Sequence, residues 1–326
     1  MTSRRNFMLG ASALSLAGFT RVSLAQAQAN YPSRVVKIVV ANPPGGDDDT
    51  LSRFISEAIG PGLGQTVIVE NRGGAATTIG SMAVALSAPD GYTLLCLHSA
   101  ALVQTVLREN LKYGMKSFTP IIKIGGYPMA LVVPASSSIM SVDDIKTVAT
   151  KSDGITFASA GAGTMAHLTA VRFLKAIGGR GLHVTYKNNP EGMQSLIGGY
   201  TQMMFPSARE AANLRGEGLL RVLAVTSPER SKNLPDVPTM RELGFPDIDS
   251  QLWYSFAAPA GTPAAIVSRL ADLISYAVQT PTFKERFQPL AFQWDVRTGD
   301  DLSRFLTSEA ERWKGVIVEN NIRFTD

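Results

Sequence analysis

Three glycine-rich stretches of this chain place bare backbone where a small anion could be held. Gly161-Ala162-Gly163-Thr164-Met165-Ala166 fits the pattern G-x-G-x-x-A, follows the apolar run Ile155 to Ala158 and opens a helical pattern. Glycines ahead of a helix let N–H groups approach an anion closely, and the helix dipole adds to the attraction. As a dinucleotide fingerprint the stretch falls short, because an acid for the ribose is wanted about 20 residues further on. Gly181 to Lys187 occupies that place and holds neither Asp nor Glu. A carboxylate is the better match. Pro43-Pro44-Gly45-Gly46 and Gly73-Gly74-Ala75-Ala76-Thr77-Thr78 are turns of the same kind, each set between a strand-like run and a helical one. Singly, each reads equally well as a plain strand-to-helix turn. Together they suit a site at the carboxyl ends of strands.

Side chains with catalytic potential form no comparable set. His98, His167 and His183 lack metal-ligand spacing, and neither H-E-x-x-H nor G-x-S-x-G occurs. Cys96 is the one cysteine and sits in an apolar run, whereas a reactive thiolate needs a polarising, accessible setting. Asp47-Asp48-Asp49 would interest a hard cation, but calcium loops space their oxygens at alternate positions and add a distal Glu. The run is read instead as first-turn acids facing a helix dipole. No catalytic residue, metal or cofactor is expected.

The elements that must position these turns follow from periodicity. Short β-branched runs at Val35 to Val40, Thr66 to Val69, Tyr92 to Leu97, Ala130 to Val133, Ile155 to Ala158, His183 to Tyr186, Met203 to Phe205 and Leu219 to Val225 read as strands. Helical faces alternate with them; Leu51, Phe54, Ile55, Ala58 and Ile59 recur at spacings of three and four. Ser141 with Asp144, and Thr298 with Asp301, fit capping boxes. The alternation implies an α/β fold with largely parallel sheets. Segments near Gly125-Gly126-Tyr127-Pro128 and Gln251-Leu252-Trp253-Tyr254 have the composition of crossings between two lobes. They divide the chain into lobe 1, residues 30–129 plus 251–326, and lobe 2, residues 130–250.

The 326 residues are 45% hydrophobic and 18% charged, enough for a substantial core and unlike a disordered chain. The formal charge of +4 owes three arginines to residues 1–29, a segment without acids. The remainder is nearly neutral, which gives no electrostatic footing for a nucleic-acid partner. Within residues 1–29, Arg4-Arg5 precedes Phe7, an uncharged stretch and the small residues Ala25, Ala27 and Ala29. This reads as an export signal, of twin-arginine type or a general secretory signal with paired arginines. The stretch is too short to span a bilayer, and the uncharged run 124–142 is broken by Pro128 and Pro134. The mature protein is expected in the periplasm and not embedded in a membrane.

Taken in order, these motifs resemble a known family. Asn42-Pro43-Pro44-Gly45-Gly46 with Asp49, Glu70-Asn71-Arg72-Gly73, Ala88-Pro89-Asp90-Gly91-Tyr92, Ser159-Ala160-Gly161-Ala162-Gly163-Thr164, Leu234-Pro235-Asp236-Val237-Pro238 and Ala258-Pro259-Ala260-Gly261-Thr262-Pro263 are similar to the substrate-binding proteins of tripartite tricarboxylate transporters. The resemblance runs through essentially the whole mature chain. It implies a two-lobed type II periplasmic binding protein fold, a Venus flytrap whose lobes are mixed sheets flanked by helices, closing as a monomer on a small organic acid for delivery to a membrane permease. It implies ligand contacts from Asn42, Gly45, Gly46 and Asp47, from Thr77 and Thr78, from Ser159, Ala160, Gly161, Gly163 and Thr164, and from Lys187. Gly163 is expected to offer its N–H to a carboxylate at an open position, where an Asp would disturb binding more than folding.

Three positions depart from the family pattern. Asn42 stands where Phe is usual, Leu97-His98-Ser99 replaces Gly-Thr-Asn, and Pro206 takes the place of an Asp. His98 is either a donor to the ligand or a loop residue, and Ser99 accompanies it. Pro206 removes a side-chain charge from the cleft, which implies a mono- or dicarboxylate without an amino group, with Glu191 as the nearest alternative acid. A periplasmic sensor, or an α/β enzyme using the G-x-G-x-x-A turn with a histidine, are the competing readings.

Overall fold

The computed structural model describes residues 31–323; the expected export signal lies outside the described residues. In chain order the strands are β1 (Val36–Val40), β2 (Val67–Asn71), β3 (Thr93–His98), β4 (Phe118–Pro128), β5 (Ala130–Pro134), β6 (Ile155–Ser159), β7 (Gly181–Thr185), β8 (Met203–Met204), β9 (Leu220–Val225), β10 (Gln251–Pro259) and β11 (Gln293–Thr298). The helices are α1 (Asp47–Leu63), α2 (Thr78–Ala85), α3 (Ser99–Leu107), α4 (Val142–Ala149), α5 (Met165–Ala176), α6 (Asn189–Ile197), α7 (Ala208–Gly216), α8 (Ala264–Gln279), α9 (Pro281–Phe287) and α10 (Gly299–Glu319). Two sheets result, ordered β11-β4-β10-β3-β1-β2 and β7-β6-β8-β5-β9. Both are mixed. In the first, β1 runs parallel to β2 and β3, and β10 antiparallel to β3 and β4. In the second, β6 runs parallel to β7 and β8, and β5 antiparallel to β8 and β9.

The β1 run Val-Lys-Ile-Val-Val is buried on both faces, as a central parallel strand must be. Val36, Ile38 and Val40 enter the core that α1 and α8 cover, through Leu51, Ile55, Ile59, Leu270 and Ile274. Val39 points the other way, into a second core that also takes Leu131, Val133 and Phe157 from the five-stranded sheet. That second core therefore belongs to both sheets. Helix α10 lines it with Leu302, Leu306, Trp313 and Ile317. Buried Glu309 accepts from the indole N–H groups of Trp253 at 2.9 Å and Trp313 at 3.1 Å, which fixes α10 on β10.

The segments expected as crossings are paired strand. Gly125 to Pro128 lies in β4 opposite Tyr254 to Gln251 in β10. Glycine is needed there because a Cβ on Gly125 would lie 2.1 Å from the Gln293 carbonyl and one on Gly126 2.2 Å from that of Leu252. Composition resembled a loop, but the cause is close backbone approach. The chain passes between the sheets at Met129, between β4 and β5, and over residues 226–250, between β9 and β10. Thr226 Oγ1 donates to the Ser250 carbonyl at 2.6 Å and accepts from the Met129 N–H at 2.8 Å.

Of the two expected capping boxes, Ser141 and Asp144 form one, with reciprocal bonds of 3.1 and 3.0 Å. Thr298 does stand at the N-cap of α10, but its side chain makes no capping bond. Asp301 instead neighbours Arg297 at 3.9 Å and Arg304 at 3.7 Å. Among the described residues no helix is long and apolar enough to cross a membrane.

Candidate functional site

Parallel pairing brings the carboxyl ends of β2, β1 and β3 side by side, with Asn71 opposite Val40 and Val40 opposite Cys96. The turns that follow, 41–46 and 72–77, and the direct step from His98 into α3 therefore share one edge. In the other sheet β6 and β8 pair in parallel, so the turns 160–164 and 205–207 share a second edge. The two edges meet. Asp47 at the start of α1 pairs with Arg209 in α7 at 2.7 Å, and Gly163 packs on α3 so tightly that a Cβ there would lie 2.4 Å from Leu107 Cδ2.

On the first edge Asn42 Nδ2 donates to Asp48 Oδ2 at 2.7 Å and lies 3.2 Å from His98 Nε2. The amide thus casts that ring nitrogen as an acceptor. His98 is buried, and burial lowers its pKa against the pull of Asp48. The Gly45 N–H is taken by Asp49 Oδ2 at 2.9 Å. The run Asp47 to Asp49 does begin a helix, yet Asp48 and Asp49 are buried and partnered, so the acids do more than face the dipole.

Two hydroxyls here remain uncommitted. Ser99 Oγ and Thr77 Oγ1 are buried without a hydrogen-bond partner among the described residues. Thr77 closes a run of three L-residues with positive φ: Ala75 at 46°, Ala76 at 51° and Thr77 at 78°. Such residues cost roughly 1–2 kcal/mol each, and strain of this kind collects at functional sites. Thr78 Oγ1 turns back to the Ala75 carbonyl at 2.9 Å.

On the second edge the turn closes on itself. Ser159 Oγ is 2.6 Å from His183 Nε2 and accepts from the Gly161 N–H at 3.2 Å. Thr164 caps α5, accepting from the His167 N–H at 3.3 Å and donating to the Gly161 carbonyl at 2.9 Å. Gly163, at φ 78°, donates its N–H to His167 Nδ1 at 3.1 Å. That N–H is thus engaged within the turn and the position is closed by Leu107, contrary to the expected open site. Ala160 and Gly161 remain partly accessible. Behind the turn the rings of His167 and His183 stack at 4.0 Å, with Phe157 4.9 Å from His183. Burial lowers their pKa values to about 3 and about 4. Two histidines with no shared spacing thus meet as a neutral stack. Among the described residues no group of three metal-ligating side chains occurs.

Pro206 is buried, and its carbonyl accepts from the Ala130 N–H at 2.9 Å. It leads into a capping box of Ser207 and Glu210 that sets the first turn of α7. Lys187 is exposed, and Glu191 accepts from its N–H at 3.4 Å at the start of α6. The sequence reading missed Arg209, and it placed Asp48 among helix-start acids and Tyr127 in a crossing. Arg209 did leave a signal: a cation in a helix's first turn opposes the dipole and needs another reason to be there.

Two mixed sheets, joined by two passages of the chain and meeting at their strand-end elements, define a periplasmic binding protein fold. The family model described as "Tripartite tricarboxylate transporter family receptor" matches residues 51–322, and the chain belongs to that family, one of solute receptors rather than enzymes. It is a periplasmic solute-binding protein. It is 32% identical to Protein BugT of Bordetella pertussis over 297 residues, 90% of this chain and 91% of BugT. The structure of the periplasmic binding protein BugD superposes with a TM-score of 0.77 at 30% identity, covering 90% of this chain and 99% of BugD. The structure of R. palustris Rpa4515 with adipate gives 0.79 at 26% identity, covering 90% of this chain and 99% of that one.

Proposed function

We propose that this protein, as a monomer, captures a small carboxylate between the two sheet edges and delivers it to a membrane permease of the tripartite tricarboxylate type. The observation that carries this reading is the pair of buried hydroxyls, Thr77 Oγ1 and Ser99 Oγ, without partners among the described residues, in the segments that follow β2 and β3. A buried polar atom left unpaired costs about 1–3 kcal/mol, which an oxyanion accepting from it would offset. The relative solved with adipate supports a carboxylate as the ligand class. Amino acids fit less well. Pro206 brings no charge, while Asp47 and Asp48 are engaged by Arg209 and Asn42. A ligand ammonium would have to displace one of those partners.

Native mass spectrometry of the purified periplasmic protein, with a thermal-shift panel of mono- and dicarboxylates and their amino-acid counterparts, tests this. A co-purifying organic acid and stabilisation by acids above amino acids are expected. Stabilisation by the amino acids alone, or by none of the panel, overturns it.

A further inference from the structure

Arg209 occupies a place where its own helix opposes it. It is the second residue of α7, beside the positive end of the helix dipole. The carboxylate of Glu210 is turned to the cap, accepting from Ser207 Oγ at 3.1 Å and Ser207 N at 3.3 Å. The guanidinium reaches over to the other edge. One terminal nitrogen meets Asp47 Oδ1 at 2.7 Å, and the Tyr127 ring centre lies 6.0 Å from its central carbon.

That contact fills half of what the guanidinium offers. The edge formed by Nε and a terminal nitrogen matches the two oxygens of one carboxylate. Arg209 Nε, however, is buried and has no hydrogen-bond partner among the described residues. Asp47 meets one terminal nitrogen and leaves Nε without a partner among the described residues. Burial has raised its pKa to about 6 despite Arg209, so it is a poorly solvated anion that a better-fitting carboxylate would displace. The backbone of Arg209 is meanwhile held by the Ser207 and Glu210 box and by the Pro206 carbonyl bonded to Ala130.

We propose that Arg209 determines specificity by taking the distal carboxylate of a dicarboxylic acid on its Nε edge in exchange for Asp47. This rests on the carboxylate-receptor reading and adds the second charge of the ligand to it. The guanidinium is the counter-ion that makes an α,ω-dicarboxylate bind above the monoacid of the same length.

Calorimetry on the full mature chain tests it, using straight-chain dicarboxylates from succinate to suberate and the matching monoacids. Wild type should favour the best dicarboxylate over its monoacid at least about tenfold. Arg209→Gln should weaken that dicarboxylate about 10- to 100-fold, the range of a hydrogen bond to a charged group, and leave the monoacid within about threefold. Asp47→Asn frees the guanidinium and should tighten dicarboxylate binding, which keeps the test valid if Arg209→Gln folds poorly. Equal loss of both acids in Arg209→Gln, no loss of either, or no gain in Asp47→Asn overturns the role of Arg209 while the receptor reading stands. If wild type binds none of the acids, the receptor reading fails and this role fails with it.

Discussion

The Ser159 to Thr164 turn and the Asn42 to Asp49 rim each touch an element of the opposite sheet, yet they are held in different ways. The turn is closed by bonds within its own lobe: Ser159 to His183, Gly163 to His167 and Thr164 to Gly161. The rim is completed only in part by itself, with Asp48 fixed by Asn42 within it and Asp47 by Arg209 of the other sheet's helix. Local closure fixes the backbone of the turn whatever the other lobe does. Charges shared across the gap depend on how the lobes meet, so discrimination between ligands belongs to them. The difference teaches that a turn can be closed by its own lobe, whereas a charged rim depends in part on the partner sheet.

The largest expected effect breaks the turn. Gly163→Val places a β-branched residue at φ 78° with its Cβ 2.4 Å from Leu107 Cδ2. Left-handed strain plus overpacking should cost roughly 2–4 kcal/mol. Chemical denaturation measures the loss, and Leu107→Ala in the same chain should restore part of it. If Gly163→Val is fully stable, the turn is not packed as described.

Next comes acid. His167 and His183 have folded pKa values of about 3 and about 4, below the ordinary 6.5. Between those values the unfolded chain binds protons that the folded turn refuses, so their contribution is complete above pH 6.5 and is lost as pH falls toward 4. Asp47 works in the opposite direction. Its pKa is raised to about 6 from 3.8, so its contribution is present below 3.8 and is lost as pH rises through 6. The melting temperature is expected to fall between pH 7 and pH 5, with a shallower slope in His183→Phe and a steeper one in Asp47→Asn. Unaltered slopes in both variants would remove the contrast between the two sides.

The smallest effect sharpens the rim. Ala76→Gly relieves a residue at φ 51° and should stabilise the fold by about 1 kcal/mol while weakening carboxylate binding. A denaturation midpoint and a binding isotherm on the same sample decide it. Stabilisation with unchanged affinity would mean that the strain serves no ligand.

Much of this was legible before any coordinates. β1, β3, β6 and β9 lie within a residue of their apolar runs, because a largely buried strand reads as a short continuous apolar stretch. Strands β4, β10 and β11 were missed, since glycine, proline and tryptophan there answer to neighbouring backbones rather than to local preference. The Ser141 and Thr298 boxes carry the same pattern, yet only Ser141 makes the bond. A capping pattern states what a residue can do, while its neighbours decide what it does.

Alternating periodicity, the glycine turns and the ordered family motifs are local properties, so the sequence alone determined an α/β receptor of this family. Contacts between residues far apart in the chain were beyond it. Asp47 with Arg209, Gly163 under Leu107, and His167 stacked on His183 each join positions whose nearness depends on strand order and on how two sheets meet. No spacing rule encodes those distances, because they are set by packing across the whole molecule, and the charge left open on Arg209 exists only once that packing is in place.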